Sequence, residues 1–420
     1  MYRKILVILL VLALLPNIVL AQSQEAITDP EMVKTMRAKI IQTGGVDVTG
    51  SISDLTLNIS IPVEDQFQKV ESIDVNHDYE IITDDLGNRY IEMYWSEISE
   101  DIDYNVEIVV STQRRLVGSP RFDEEFLEPT DHVESDSQEI IDFASQFEGT
   151  DFEKIAGVTK WIHENIYYDR QFYDVDDTAL HTLQSKRGVC DEITNLLLAS
   201  SRSMGYHSAG VMGWVVGETI TEPHSWAEIY VGNEVIYNDP TWAEVGFLDA
   251  AHIKYVTLTD TVFRMVGVSG KVGSGESLKL KSSNTQIELL DVVQEPLTSS
   301  DSVLENPTVW EEDVAVINTD VDYDGCLLTK FISQSCEYDG QQFLEPLQPE
   351  QVVYFCDQTT VTSSFKVPTG LDPGASYTCP LTVYSYVTGR EDIDVSISSA
   401  AQASGFIEAI LNFFRSLFGG

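Results

Sequence analysis

Positive charge is what this chain has least of. Among 420 residues there are 25 Lys and Arg against 68 Asp and Glu, a formal net charge of −43. A surface with that field repels nucleic-acid phosphates and anionic lipid alike, so nucleic-acid binding is excluded. Such an acidic excess suits concentrated salt, where screening over a few ångströms quenches self-repulsion, and a high-salt habitat is expected. Cysteine is scarce too: there are five, with no Cys-x-x-Cys knuckle among them. Beyond the first twenty or so residues no segment approaches about 18 uninterrupted apolar residues, the length a spanning helix needs. Internal repeats and low-complexity tracts are also lacking.

What is present is enough to fold. A hydrophobic fraction of 43% with 10% aromatics builds real cores, and 420 residues is the length of several domains. Arg3 and Lys4 precede an apolar run that is interrupted at Pro16 and Asn17 and ends Val19-Leu20-Ala21. That pattern reads as a secretory signal over residues 1–21, cleaved after Ala21, rather than an uncleaved anchor. Residues 22–130 alternate apolar and polar side chains in short runs, such as 55–61 and 104–110, and read as an N-terminal β-sandwich. Residues 131–295 form a helical and then stranded core. In it Thr150 and Glu153 make a capping box ahead of the stripe Ile155, Val158, Ile162 and Ile166. Residues 268–283, rich in Gly, Ser and Lys, read as a mobile loop or exposed hairpin. Alternation returns over 300–399 as a second small sandwich, now with four cysteines. The fold class is α+β.

The chemistry lies in the middle. Cys190 follows Arg187-Gly188-Val189 and opens a helix whose face carries Ile193, Leu196, Leu197 and Met204, with Gly205 as the stop. The partial positive charge at a helix N-terminus favours thiolate, although a buried cysteine acting as a small hydrophobe is the bland alternative. Further on, Gly232-Asn233 is a two-residue hairpin signal that pairs Val231 with Glu234. Counting back along that register sets Asp239 opposite Trp226, with His224 on the same face two residues along and within imidazole reach. The count puts Tyr230 and Tyr237 on that face as well. A thiol at a helix N-terminus, a strand histidine and a carboxylate on the next strand make a Cys-His-Asp constellation.

These residues resemble the transglutaminase-like superfamily, whose core is papain-like. The matching motifs are Arg187-Gly-Val-Cys190-Asp, His224-Ser-Trp-Ala-Glu-Ile-Tyr and Asp239-Pro-Thr-Trp242, with spacings of 34 and 15 residues. The resemblance covers residues 135–260 or so. It implies a papain-like transglutaminase core flanked by two β-sandwich domains, and thiol-based acyl transfer in which Cys190 attacks an amide, His224 moves the proton and Asp239 orients the imidazole. Gln184, six positions before the cysteine, is a candidate oxyanion donor, with an ordinary surface amide as the alternative. Trp214, Trp226 and Trp242 are candidate walls around the acyl-enzyme, or simply packing. The expected activity is an exported cysteine peptidase or amidase, or a protein crosslinker, acting on protein or peptide at the cell surface. The alternative is a non-catalytic adhesion or scaffold protein that keeps the core for protein binding.

Cys326, Cys336, Cys356 and Cys379 are an even set that leaves Cys190 over, the arithmetic of two disulfides of undetermined connectivity and one free thiol. No metal site and no cofactor is expected. Asp320-Val-Asp-Tyr-Asp-Gly325 opens like a calcium loop, but its twelfth position is Phe331 where a Glu is needed, so an exposed turn is the preferred reading. Asn58-Ile-Ser60 matches the glycosylation acceptor pattern. At the C-terminus, residues 404–420 form a strongly amphipathic helix: Phe406, Ile410, Phe413, Phe414, Leu417 and Phe418 fall on one arc. It is too short to span a bilayer. Contact with a membrane surface and docking onto the protein's own core are both open.

Overall fold

The computed structural model describes residues 33–399 apart from 174, 176, 217–220, 339 and 340. The signal segment and the amphipathic segment, residues 1–21 and 404–420, lie outside the described residues. The described chain is mostly β rather than an even α+β mixture. None of its helices is long and apolar enough to cross a membrane.

Alternation becomes paired strand in the N-terminal region. Leu55, Leu57, Ile59 and Ile61 of strand Ile52–Ile61 are fully buried, as are Val106, Ile108 and Val110 of strand Ile102–Gln113. Side chains two apart share a face, and these faces meet in one apolar cluster. A five-stranded sheet is built on Val33–Thr49 and a four-stranded sheet on Ile52–Ile61. Both recruit chain from far away. Val266–Lys271 pairs with Ile52–Ile61, while Ser277–Leu280 and Asn284–Gln294 pair with Val33–Thr49. This corrects the expectation of a mobile loop or exposed hairpin over 268–283, since the strands there pair with separate sheets. The glycine there reflects close packing: a Cβ on Gly270 would lie 2.9 Å from Ile52 Cγ2 and 3.0 Å from Leu278 Cδ1.

Four helices open the central region: α1 (Gln138–Ala144), α2 (Asp151–Asn165), α3 (Ala179–Ser185) and α4 (Cys190–Ser203). The capping box starts α2, with Glu153 N–H donating to Thr150 Oγ1 at 3.2 Å and Thr150 N–H to Glu153 Oε2 at 2.7 Å. The stripe Ile155, Val158, Ile162 and Ile166 is buried against Ile193, Leu196 and Leu197 of α4. Gly205, at φ +89°, lets the chain leave α4 in the left-handed conformation.

The strands after α4 do not stop at a domain boundary. The order His252–Leu258, His207–Val216, Thr221–Val231, Glu234–Asp239, Glu244–Val245 continues into Val314–Ser335 through Val245 paired with Leu328, giving one twelve-stranded sheet. Asp320 to Gly325 lie within strand Val314–Ser335, beside an irregularity in its pairing between Tyr323 and Cys326. The segment is thus strand rather than an exposed turn. Of the three possible connectivities the disulfides are Cys326–Cys356 and Cys336–Cys379, and Cys190 is free. Two disulfides suggest an extracellular environment. Asn58, in the glycosylation pattern, sits in strand Ile52–Ile61 with its side-chain oxygen buried.

Candidate active site

Cys190 is the first residue of α4. Arg187–Gly188 pairs with Tyr167–Tyr168 and delivers the chain to Val189, which is extended at φ −109° and ψ −167°. Glu192 Oε2 accepts the Val189 N–H at 2.9 Å and so caps the helix. The cysteine is only 5% exposed. Burial pushes its thiol well above the ordinary range and the Asp191 carboxylate adds to this, while hydrogen bonds from Ser225 and Tyr168 pull the other way. The sequence suggested a thiolate stabilised by the helix terminus; in the folded protein desolvation outweighs that dipole, and the resting group is a thiol.

His224 lies on strand Thr221–Val231 and Asp239 ends strand Glu234–Asp239. The hairpin register runs from Val231 paired with Glu234 to Ala227 paired with Asn238, the register counted from the Gly232-Asn233 turn. It places His224 Nε2 2.7 Å from Asp239 Oδ2, with the histidine 2% exposed and the aspartate fully buried. Asp239 Oδ1 accepts the N–H groups of Thr241 at 2.8 Å and Trp242 at 3.3 Å, which fixes the carboxylate plane. Burial alone would raise this carboxyl, but His224 and His252 overcome it and hold it far below the usual carboxylate range. With Nε2 turned to Asp239, Nδ1 is the ring nitrogen left for proton exchange.

The proposed walls divide. Trp242 stacks on His224 with centroids 4.5 Å apart, and Trp226 lies on it at 6.2 Å. Trp214 instead belongs to the apolar cluster shared with the N-terminal sheets. Tyr230 and Tyr237 share a cluster with Trp226, as the hairpin count implied. Gln184 is not brought to the site. Its side chain is exposed on α3 and its amide donates to Glu139 of α1 at 3.0 Å.

A second layer behind Asp239 escaped the sequence reading. His252 Nε2 is 3.2 Å from the same Asp239 Oδ2, and His252 Nδ1 is 3.1 Å from Asp249 Oδ1. Burial favours neutral imidazole, but the Asp249 and Asp239 carboxylates outweigh it and lift His252 to about 10. Glu244 is buried beside them. The spacing Asp249-x-x-His252 was the only available signal, and it is common by chance. Among the described residues two groups have donors close enough to hold a cation: His224, Asp239 and His252; and Glu244, Asp249 and His252.

Residues 141–246 match the family model of the Transglutaminase-like superfamily, so the chain carries a transglutaminase-like domain. Among solved structures, a candidate cysteine protease from Cytophaga hutchinsonii is similar at 19% identity and a TM-score of 0.48, covering 62% of this chain and 93% of that one. A candidate protease from Parabacteroides distasonis is similar at 11% identity and a TM-score of 0.26, covering 78% of this chain and 68% of the other. Comparison with curated proteins gives no match.

Proposed function

We propose that this protein is an exported cysteine-dependent hydrolase or acyltransferase acting on protein or peptide amides, with Cys190, His224 and Asp239 as its triad. The observation that carries the reading is the buried 2.7 Å bond between His224 and Asp239 within a transglutaminase-like domain whose free cysteine begins a helix. Because the resting sulfur is a thiol, His224 acts as general base at the moment of attack. Cys190 Sγ bonds to the amide carbon as Nδ1 takes its proton, and the carbonyl electrons move onto oxygen. The backbone N–H of Cys190, at a helix N-terminus, donates to that oxyanion. Collapse breaks the C–N bond, the imidazolium protonates the departing amine, and a thioester remains for water or a primary amine to open.

The flanking sheets are read as two β-sandwich modules that present this domain at the outside of the cell, with residues 406–418 as its membrane-surface contact. The test uses an amide-mimicking electrophile to tag Cys190, followed by glutamine-containing peptides with and without a primary amine, weighed by mass spectrometry. Turnover that vanishes in Cys190→Ala while the fold persists supports the reading. Unchanged turnover in that variant would overturn Cys190 as the nucleophile, and binding of a protein ligand with no turnover in either form favours the scaffold alternative.

A further inference from the structure

Three carboxyl oxygens behind Asp239 are left without hydrogen-bond partners. Glu244 is 0% exposed, Asp249 1% and His252 1%. Neither oxygen of Glu244 has a hydrogen-bond partner among the described residues, and Asp249 Oδ2 has none either. The two acids therefore do not share a proton across a hydrogen bond. Yet one ligand atom from each of Glu244, Asp249 and His252 lies within 4.8 Å of the others, the span of donors around a single cation.

Among the described residues no basic side chain donates a hydrogen bond to Glu244. Lys330 is buried and its field reaches Glu244, but its ammonium sits 4.8 Å over the Tyr386 ring. Arg114 feels the same two carboxylates, and its guanidinium donates to the Glu295 carbonyl. Neither forms a hydrogen bond with Glu244. The neighbouring trio of His224, Asp239 and His252 differs, because both oxygens of its one carboxylate are partnered, Oδ2 by the two rings and Oδ1 by the N–H groups of Thr241 and Trp242. Unsatisfied buried carboxylate oxygens are rare and call for an occupant.

We propose that Glu244, Asp249 and His252 form a binding site for one divalent transition-series cation, of which Zn²⁺ is the best match. Two carboxylates and an imidazole are a mixed oxygen and nitrogen set, suited to zinc-like ions. Calcium asks for six to eight oxygens, which three residues including a histidine do not supply. The 3.1 Å between His252 Nδ1 and Asp249 Oδ1 is a few tenths of an ångström short of the roughly 3.4 Å between two tetrahedral donors with bonds of about 2.1 Å, so a small opening of this pair admits the ion. The cation takes the place of the Nδ1 proton. His252 then keeps its hydrogen on Nε2 and donates it to Asp239, so the ion is tied through one ring to the carboxylate that holds His224. A cation here is structural, since every donor is buried.

The test uses the untagged full chain, unfolded in EDTA with its disulfides intact and refolded with ZnCl₂, with CaCl₂ or with no metal. Metal per chain is measured by mass spectrometry and the melting temperature by circular dichroism. Expected are about one zinc per chain, a higher melting temperature with zinc than without, and a zinc content at least about tenfold lower in Glu244→Gln. Cys190→Ala should retain its zinc, which separates this site from the thiol. A refolded wild-type chain free of zinc, zinc retained at full level in Glu244→Gln, or calcium alone taken up would each overturn the proposal. None of these readouts depends on catalysis.

Discussion

Trp242 lies flat against His224, with ring centroids 4.5 Å apart and planes inclined by 25°. The stack follows from Asp239: the same carboxylate that bonds His224 also accepts the Trp242 N–H and so folds the indole back over the imidazole. An aromatic face against a ring that becomes cationic during the reaction contributes about 1 kcal/mol. Trp242→Leu should therefore lower kcat about fivefold with little change in melting temperature, while Trp242→Phe keeps most of the rate. Equal rates in all three proteins would show that the stack is packing alone.

Asp239→Asn asks for more. The amide can still accept from Thr241, but its NH₂ group would face two imidazole nitrogens that now donate to the carboxylate. His224 must switch tautomer to accommodate it, and the loss of kcat should be about 10³ to 10⁴. Amide turnover together with near-ultraviolet circular dichroism checks this. A loss below tenfold in a folded variant would mean that Asp239 does not set the tautomer.

How much of this was legible in the sequence depends on how far the relevant contacts reach. The hairpin register was legible because a two-residue turn and the period of two fix every pair from Val231 and Glu234 back to Ala227 and Asn238. The stripe of α2 was legible for the same local reason. Residues 268–283 were not, since their Gly, Ser and Lys read as a loop or exposed hairpin and only distant partners, Ile52–Ile61 and Val33–Thr49, make strands within them. The state of Cys190 was misread because a helix terminus is visible in sequence, whereas the enclosure around Tyr168 and Ser225 is not. Glu244, Asp249 and His252 gave no signal beyond the common Asp-x-x-His spacing, because a side chain's lack of partners is a property of the packed interior.

The thiol carries a pH signature. Its folded pKa is raised by burial, so alkylation of Cys190 by iodoacetamide should keep rising with pH beyond about 8.5, where an ordinary cysteine levels off. In denaturant the plateau should return. The sign for stability follows: the stabilising contribution is complete below the unfolded value near 8.5 and is lost as pH rises toward the folded one. Wild-type melting temperature should thus fall above about pH 8.5 more steeply than that of Cys190→Ala. Parallel curves would show that the thiol is not shielded.

Glu192 makes a second titration in the opposite part of the scale. Burial raises its carboxyl to about 7, against the Val189 N–H that favours the charged form. The folded state therefore holds this proton more tightly than the unfolded chain, whose Glu titrates near 4.3, and the associated stability is lost as pH climbs from about 4.3 to 7. Glu192→Gln keeps the capping oxygen and removes the titration. It should melt higher than wild type at pH 7.5, with the gap closing by about pH 4.5. A gap that is constant across this range would place the ordinary carboxyl pKa at Glu192.

The last prediction concerns a residue with no chemistry at all. Gly213 pairs with His224 on one side and Lys254 on the other, where strand His252–Leu258 shifts register between Lys254 and Val256. A Cβ there would sit 1.9 Å from the Ile253 carbonyl oxygen and 3.0 Å from Trp226 Cη2, so backbone would have to move and not merely a side-chain tip. Gly213→Ala should cost about 3 kcal/mol, felt as a melting temperature several degrees lower. Because the strand it displaces carries His252 and its other neighbour carries His224, amide turnover at a temperature where the variant is still folded should fall as well. Gly267→Ala is the control: its Cβ meets nothing within 4 Å, and its cost should stay within about 0.5 kcal/mol. Equal melting temperatures for the two variants would show that the three central strands do not approach as closely as the Gly213 contact requires.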